Sequence, residues 1–234
     1  MTSSISDQVV VITGAGSGIG RALALGFVGD GARVVGADLA HVDMSELAAA
    51  GVITVAADVT QDADVRRMVD LAVAQTGRLD VLFNNAGVGG RTHIEDLPDG
   101  EFERFVAVHL FGALYGLRAA LPVMRRQGRG RIINTVSRGA EAQAGGWSAY
   151  GSAKAALFAL TRIAAAEATD ADILINGMIP GPTRSGMMKG PNLQEPEAVY
   201  PGALWLATLP PGGPSGEVFW NRKPYALFQN RQPE

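Results

Sequence analysis

Tyr150 and Lys154 stand four residues apart, and Ser137 lies thirteen residues before the tyrosine. On a helix, side chains at positions i and i+4 project from one face, so the phenol and the ammonium can reach the same ligand. A free tyrosine has a pKa of about 10, and a fixed ammonium nearby favours the phenolate and lowers that pKa. Ser137 can then hold a substrate oxygen while Tyr150 moves its proton. The three residues therefore predict proton transfer at an oxygen-bearing carbon.

A glycine-rich segment follows the first apolar run and opens a helical pattern. It reads Thr13-Gly14-Ala15-Gly16-Ser17-Gly18-Ile19-Gly20. Gly14 allows a tight turn, while Gly18 and Gly20 let the backbone and the helix approach a pyrophosphate closely. The spacing Gly-x-x-x-Gly-x-Gly differs from the common Gly-x-Gly-x-x-Gly, and a purely steric turn is the alternative. Because the glycines lie between a predicted strand and a predicted helix, the segment favours nucleotide binding.

Asp38 ends the second predicted strand, eighteen residues after Gly20. A carboxylate in this place accepts hydrogen bonds from the adenosine ribose hydroxyls and repels a 2′-phosphate. No Arg or Lys stands beside it on the strand. The alternative is a solvated aspartate at a strand end. The aspartate favours NAD over NADP.

The elements that must position these residues alternate along the chain. Short β-branched runs are followed by alanine-rich helical stretches, which predicts a parallel sheet with right-handed crossovers. The predicted strands are Val9–Thr13, Arg33–Asp38, Val52–Asp58, Val81–Asn84, Arg131–Val136, Asp172–Ile179 and Glu217–Trp220. The predicted helices are Gly18–Gly29, Met44–Ala50, Ala63–Thr76, Glu101–Arg126, Tyr150–Ala168 and Glu197–Thr208. We expect a single domain over residues 1–234, a Rossmann-like, doubly wound α/β fold with helices on both faces of the sheet.

Two segments stand outside this alternation. The Pro- and Gly-rich stretch at about 182–196 follows the carboxyl end of a strand, which is typical of an active-site lid. The tail at about 223–234 either covers a neighbouring subunit or is mobile, and mobility is the simpler interpretation.

The glycine segment, Ser137, Tyr150, Lys154 and Asn84-Asn85-Ala86-Gly87 together resemble the short-chain dehydrogenase/reductase family in its compact single-domain form, from about residue 8 to about residue 220. The resemblance implies that Lys154 also binds the nicotinamide ribose, and that Pro180-Gly181-Pro182-Thr183-Arg184-Ser185 holds the nicotinamide carboxamide. Ser185 replaces the family's usual threonine and keeps the hydroxyl. Ser17 stands where NADP-dependent relatives often carry a basic residue. The implied cofactor-binding residues are Gly14, Ser17, Gly18, Ile19, Gly20, Asp38, Asp58, Val59, Asn84, Ala86, Gly87, Tyr150, Lys154, Pro180, Gly181, Thr183 and Ser185.

His109 departs from the family pattern. The family usually has asparagine at this helical position, where it distorts the helix and lets a backbone carbonyl bind a water that leads protons away from the lysine. Histidine has an unperturbed pKa near 6.5, so it could shuttle protons itself. The alternative is a half-buried histidine that simply tolerates the position. We count His109 with Ser137, Tyr150 and Lys154 as a candidate catalytic residue.

The substrate is less constrained than the cofactor. Trp147 and Met187 predict a mostly apolar wall, and Arg138 could bind a carboxylate. Solvated loop arginines are common, so the sequence leaves an acidic substrate open.

Composition excludes several classes of function. The net charge of -3 offers no basic field for nucleic acid or for an anionic membrane. No run of uncharged apolar residues approaches the ~20 that a membrane span needs. The chain has no cysteine, and its three histidines show no zinc-site spacing, so we expect no metal. The amino terminus lacks the features of a secretory signal, which favours a cytoplasmic protein.

The sequence thus predicts an NAD-dependent oxidoreductase that interconverts a secondary alcohol and a ketone, with Tyr150 as acid and base. The alternative is a catalytically weak or inactive NAD-binding sensor or scaffold of the same fold. The family resemblance implies a homodimer or homotetramer, built on apolar residues of two long helices. These are Phe102, Phe105, Leu110 and Leu114 on one helix and Leu157, Phe158 and Leu160 on the other.

Overall fold

The computed structural model describes residues 4–228. Its strands are β1 (Val9–Thr13), β2 (Arg33–Asp38), β3 (Ile53–Ala56), β4 (Val81–Asn84), β5 (Arg129–Thr135), β6 (Asp172–Ile179), β7 (Val218–Trp220) and β8 (Lys223–Pro224). The helices are α1 (Gly18–Gly29), α2 (Ser45–Ala49), α3 (Asp62–Thr76), α4 (Glu101–Val106), α5 (Gly112–Gln127), α6 (Ser148–Glu167) and α7 (Tyr200–Ala207). Short 3₁₀ turns cover Ile94–Asp96, Arg138–Glu141 and Pro196–Val199.

The eight strands form one sheet in the order β3-β2-β1-β4-β5-β6-β7-β8. All neighbouring strands are parallel except β7 and β8, which form an antiparallel hairpin. The chain moves outward in one direction from β1 to β3 and in the other from β4 onward. A crevice therefore opens at the carboxyl ends of β1 and β4, where ligands bind in sheets of this kind. The predicted doubly wound α/β fold is confirmed.

The alternation of side chains along β1 explains why helices cover both faces of the sheet. Val10 and Ile12 pack with Leu23 and Phe27 of α1 in one apolar cluster. Val9 and Val11 pack with helices α3, α5 and α6 in a second cluster on the opposite face. Every residue of β1 is fully buried. Continuously apolar strands are the expected result of burial on both faces.

The helix from Glu101 to Gln127 is one continuous element with a π-turn, Ala107–Phe111, in its middle. It is 27 residues long, and an 18-residue window within it has a mean hydropathy of 1.5, so by length and composition alone it could cross a membrane. Arg104 and Arg118 interrupt it, so its uncharged run extends only from Phe105 to Leu117 and stays shorter than the ~20 residues of a membrane span. The helix lies across the sheet, and Phe105, Leu117 and Met124 on it are buried. The core helix of a globular protein has the same length and composition.

Asn84, Asn134 and Thr161 form a buried polar chain beneath the sheet. Asn84 Nδ2 donates to Asn134 Oδ1 at 2.8 Å, and Asn134 Nδ2 donates to Thr161 Oγ1 at 2.9 Å. Thr161 in turn donates to the carbonyl of Leu157 at 2.7 Å. Gly116 of α5 packs directly on Asn84, and a Cβ at Gly116 would overlap the side-chain oxygen of Asn84. The glycine therefore allows the helix to approach this chain closely.

We expect Gly116→Ala to lower the free energy of unfolding by about 2 kcal/mol, because the new methyl group displaces Asn84 from its buried partner. Gly29→Ala in α1 is the matched control, since no atom lies within 4 Å of its new Cβ. Urea denaturation of both variants measures the difference. Equal stability of the two variants would contradict the packing described.

Candidate active site

A cavity of about 1230 Å³ opens at the carboxyl ends of the strands. It brings together the glycine segment after β1, the end of β2, the segment after β4, the end of β5 with Ser137, the start of α6, and the segment after β6. The predicted residues that line it are Gly14, Ser17, Gly18, Ile19, Gly20, Asp38, Asp58, Val59, Ala86, Gly87, His109, Ser137, Arg138, Trp147, Tyr150, Lys154, Pro180, Gly181, Thr183, Ser185 and Met187. Asn84 is the one predicted site residue that does not line it.

The glycine turn after β1 requires its glycines for steric reasons that are visible in the structure. Gly14 has φ +67, a left-handed conformation, and a Cβ there would lie 2.8 Å from Cα of Ala86. A Cβ at Gly20 would overlap the carbonyl oxygen of Gly14. The first turn of α1 therefore sits directly on the loop. Gly18, Ile19 and Gly20 at its amino terminus line the cavity, and helix amino termini bind anionic groups.

Asp38 is held by two backbone groups at the mouth of the cavity. Its Oδ2 accepts from the amide of Gly16 at 2.8 Å, and its Oδ1 accepts from the amide of Leu39 at 2.8 Å. Each carboxylate oxygen has a further lone pair for a ligand. Asp58 lines the same end of the cavity, where its Oδ1 accepts from the amide and the hydroxyl of Thr60.

Asn84, expected among the cofactor-binding residues, does not line the cavity, whereas its neighbour Asn85 does. Side chains alternate along a strand, so Asn84 shares the face of Leu82, which packs beneath the sheet. Asn84 is 6% exposed and bonds to Asn134. The alternation of β4 was available in the sequence and would have separated the two asparagines.

Three residues that the sequence analysis did not single out tie the strand ends together. Thr13 Oγ1 accepts from the amides of Asn85 and Ala86, both at 3.0 Å. Asn85 Nδ2 donates to the carbonyl of Thr13 at 3.0 Å, and its Oδ1 accepts from Thr135 Oγ1 at 3.4 Å. The ends of β1, β4 and β5 are thereby fixed relative to one another. Hydroxyl and amide groups at the ends of adjacent predicted strands are the only sequence signal for this network.

Lys154 and Tyr150 project from the first two turns of α6 into the cavity, and Ser137 faces them from the end of β5. Lys154 is 3% exposed, and its Nζ donates to the carbonyl of Thr135 at 2.6 Å. The ammonium lies 5.7 Å from the ring centre of Tyr150. Ser137 Oγ accepts from the amide of Gly139 at 3.0 Å, and its hydroxyl is near enough to Tyr150 to lower the pKa of the phenol. The structure therefore assembles the three residues that the sequence predicted to act together.

The pKa values of these groups differ from the sequence expectation. Burial raises the pKa of Tyr150, and the hydrogen bond with Ser137 acts in the opposite direction. Burial also lowers the pKa of Lys154 from 10.5 to about 7. The expected lowering of the tyrosine pKa by Lys154 is not found among the interactions of the described residues. A lysine with this pKa is charged for only part of the time at neutral pH. The tyrosine is accordingly a protonated donor near neutrality.

His109 occupies the π-turn and is 3% exposed. Its Nε2 lies 2.8 Å from the carbonyl oxygen of Val88, and its ring stands edge-on to Tyr150 with 5.3 Å between ring centres. Burial and the charge of Lys154 hold its pKa well below 6.5. The imidazole is therefore neutral near pH 7, which does not favour a shuttle that titrates there. The helix distortion is present with histidine in this position.

The lid folds back over the middle of the cavity. Thr183 pairs with Gln194 across its base, and Arg184 forms an ion pair with Glu195 at 2.9 Å. Ser185 Oγ accepts from the amides of Met187 and Met188, both at 3.2 Å. A Cβ at Gly18 would lie 3.3 Å from Ser185, and one at Gly89 would lie 2.8 Å from Met187. The lid therefore touches both the glycine turn and the segment after β4.

The walls near Ser137 are aromatic. Trp147 packs edge-on against Tyr150 with 5.4 Å between ring centres, and the guanidinium of Arg91 lies 4.4 Å from the Trp147 ring centre. Arg138 lies 5.1 Å from the ring centre of Trp220. Among residues 4–228, no group of three or more His, Asp or Glu side chains is arranged to hold a metal ion.

The depressed pKa of Lys154 predicts a pH-dependent contribution to stability. The unfolded lysine titrates near 10.5 and the folded one near 7, so the folded state binds fewer protons between these values, and stability rises with pH across that range. Between pH 6 and pH 9, we expect the free energy of unfolding of the wild type to rise by about 2 to 3 kcal/mol relative to that of Lys154→Met. Urea unfolding of both proteins at each pH measures this gain. A pH-independent difference would contradict a neutral lysine in the folded state.

The chain was compared with known proteins. The family model described as short chain dehydrogenase matches residues 8–196. Levodione reductase of Leifsonia aquatica is 36% identical over 189 residues, which cover 77% of this chain and 71% of that protein. The 2-(R)-hydroxypropyl-CoM dehydrogenase of Xanthobacter autotrophicus is 34% identical, with coverage of 82% and 80%.

Solved structures agree with these relatives. The crystal structure of levodione reductase superposes with a TM-score of 0.81 at 31% identity, covering 86% of this chain and 91% of that chain. The 3-ketoacyl-(acyl-carrier-protein) reductase from Brucella melitensis, complexed with NADH, gives a TM-score of 0.86 at 27% identity, covering 92% and 96%. The matched segment contains the glycine turn, Ser137, Tyr150 and Lys154. The chain belongs to the short-chain dehydrogenase/reductase family of NAD(P)-dependent oxidoreductases.

Proposed function

We propose that the protein is an NAD-dependent oxidoreductase that interconverts a secondary alcohol and a ketone, with Tyr150 as the acid and base. The observation that carries this proposal is the placement of Ser137, Tyr150 and Lys154 at one end of a cavity whose other end presents Asp38. The family membership supports an enzyme acting on CH–OH groups. The relatives named above are reductases and dehydrogenases.

The cavity fits a dinucleotide. Its glycine turn leaves no room for side chains where a pyrophosphate would bind, because Cβ atoms at Gly14 and Gly20 would meet Ala86 and Gly14. Asp38 would hold the adenosine ribose, and Ser185 and Lys154 line the part of the cavity that would hold the nicotinamide half. When bound, the nicotinamide accepts a hydride from the alcohol or returns it to the ketone.

The protein's own groups supply the proton chemistry. Ser137 and Tyr150, which line the same cavity, would both bind the substrate oxygen and orient its carbon. In reduction, the phenol of Tyr150 donates its proton to that oxygen. In oxidation, the phenolate must first form, and burial opposes this step near neutrality. The raised pKa therefore favours reduction at neutral pH and faster alcohol oxidation at alkaline pH.

Asp38 supports a preference for NAD over NADP. Its charge would lie beside the 2′-position of the adenosine ribose and would repel a phosphate there. Its neighbours on the chain, Ala37 and Leu39, carry no positive charge. The dinucleotide named with the Brucella reductase is NADH.

We propose further that the protein is a cytoplasmic homo-oligomer that takes a small-molecule substrate. Of the helix residues expected at a subunit interface, Phe105 and Leu157 are buried in the chain itself and cannot contribute. Phe102 and Leu114 remain exposed, and Ile163 of α6 is 56% exposed. Exposed apolar residues on long helices support a symmetric interface.

We expect Tyr150→Phe to reduce the rate of NADH formation from secondary alcohols by about a thousandfold, because the acid and base is removed. NADH absorbance at 340 nm with a panel of secondary alcohols measures the rate. Tyr200→Phe is the control, since it removes a phenol hydroxyl bonded to Asp30 outside the cavity. Wild-type protein that binds NAD without turning over any alcohol or ketone would favour the sensor instead.

We expect Asp38→Asn to lower the ratio of kcat/KM for NAD to that for NADP by about tenfold or more, because the charge that repels the 2′-phosphate is removed. Asparagine keeps one oxygen that can accept from the amide of Gly16 and loses the acceptor for the amide of Leu39. Initial rates with both cofactors measure the ratio. Asp43→Asn, on an exposed carboxylate, controls for the loss of charge. An unchanged ratio would overturn the assignment to Asp38.

A further inference from the structure

The carboxyl-terminal segment Lys223–Phe228 returns to the cavity of its own chain. The β7–β8 hairpin reverses the chain at Asn221 and Arg222, both with positive φ. The amide of Tyr225 then donates to the carbonyl of Val218 at 2.8 Å. This path places Tyr225 in the lining of the cavity. Between Lys223 and Phe228, the described part of the tail therefore packs on its own chain.

Glu141 fastens this segment through both of its carboxylate oxygens. The hydroxyl of Tyr225 donates to Oε1 at 2.6 Å, and the amide of Phe228 donates to Oε2 at 2.8 Å. Glu141 belongs to the 3₁₀ turn that begins one residue after Ser137. The hydrogen bond to Glu141 raises the pKa of Tyr225, so the phenol keeps its proton and remains a donor. The tail is therefore attached to the turn that carries the catalytic serine.

Apolar packing holds the same segment from behind. Leu227 is 2% exposed and packs with Val136 and Leu157. The ring of Phe228 lies 5.9 Å from that of Phe158. These contacts keep the segment against the body of the protein. The bonds to Glu141 then decide where the Tyr225 ring stands.

Tyr225 and Trp147 both line the cavity that contains Ser137. A Cβ at Gly139 would meet both Trp147, at 2.7 Å, and Tyr150, at 2.9 Å. Tyr225 instead packs on Trp220, with 6.0 Å between ring centres, and the indole nitrogen of Trp220 lies 3.1 Å from the place of a Cβ on Gly181. A substrate that reaches Ser137 therefore meets one aromatic wall from the segment after β5 and another from the tail.

We propose that Tyr225, latched by Glu141, is the wall that limits the size of the ketone or alcohol reaching Ser137 and Tyr150. The proposal rests on the proposed function only for the class of ligand. Removing the ring opens the cavity towards the hairpin, where bulky groups are then accommodated. The side chain is a specificity-determining residue and takes no part in proton transfer.

Equilibrium binding of ketones to the NAD-loaded protein tests the wall. NAD cannot reduce a ketone, so no turnover occurs or is needed. Acetone and 2-acetonaphthone are the small and the bulky probes, and calorimetry gives both Kd values. We expect Tyr225→Ala and Tyr225→Leu to improve the Kd of 2-acetonaphthone relative to acetone by at least about tenfold, and Tyr225→Trp to worsen it. Tyr200→Phe, which loses a comparable 2.7 Å bond to Asp30, should leave the ratio unchanged.

If the ratio of the two Kd values stays within twofold of wild type in all three Tyr225 variants, Tyr225 does not limit substrate size and the proposal is overturned. Retention of NAD affinity shows that a variant is folded. Tyr225→Trp keeps a large ring at this position, so it tests the size limit even if the smaller side chains unfold the tail. Because binding is measured without turnover, inactivity with alcohols would reject the proposed reaction and leave this result standing.

Hydrogen exchange tests the latch separately. In Glu141→Gln, an amide nitrogen replaces one carboxylate oxygen and cannot accept a hydrogen bond. The side chain then keeps one acceptor for the two donors, the Tyr225 hydroxyl and the Phe228 amide. We expect exchange at the Phe228 amide to accelerate at least tenfold relative to wild type, while the amide of Leu227, bonded to the carbonyl of Tyr225, changes less. Unchanged protection at Phe228 would show that Glu141 does not hold the segment.

Discussion

The hydrogen bond from the Lys154 ammonium to the carbonyl of Thr135 joins helix α6 to the central sheet. It links the second turn of α6 to the end of β5, and Tyr150 stands one turn earlier on the same helix. A buried ammonium is costly unless it is bonded, so this contact fixes where the helix can lie. Ser137 follows Thr135 by two residues. The bond to Thr135 therefore places Tyr150 and Ser137 on the same side of the cavity, with the ammonium 5.7 Å from the Tyr150 ring centre.

The same residue, Thr135, connects the part of the cavity at α6 to the glycine turn after β1. Its hydroxyl bonds to Asn85, and Asn85 bonds to Thr13 at the start of the glycine turn. Polar groups at three adjacent strand ends thus fix the crevice where the strand order reverses. The cost of burying these groups is offset because each finds a partner. A displaced turn would move the nicotinamide half of the site as well as the phosphates.

Much of the fold and of the candidate site could be predicted from the sequence, and the failures have physical causes. Asn84 and Asn85 look alike in the sequence, but strand alternation buries one and exposes the other to the cavity. Adjacency on a helix predicted that Lys154 lowers the pKa of Tyr150. Burial, which depends on the whole surrounding fold, acts on both groups and dominates their pKa values. The β8 strand has only two residues, too few for a periodic signal.

The sequence by itself determined the order of strands and helices, the glycine turn, the aspartate at the end of β2, and the spacing of Ser137, Tyr150 and Lys154. These are local properties, set by hydrophobic periodicity, turn chemistry and distance along one helix. The tertiary structure alone decided the protonation of Lys154, the neutral His109, and the contact of Tyr225 with Glu141 across 84 residues of chain. Burial and long-range contacts arise only when distant segments pack together, so no local pattern could specify them.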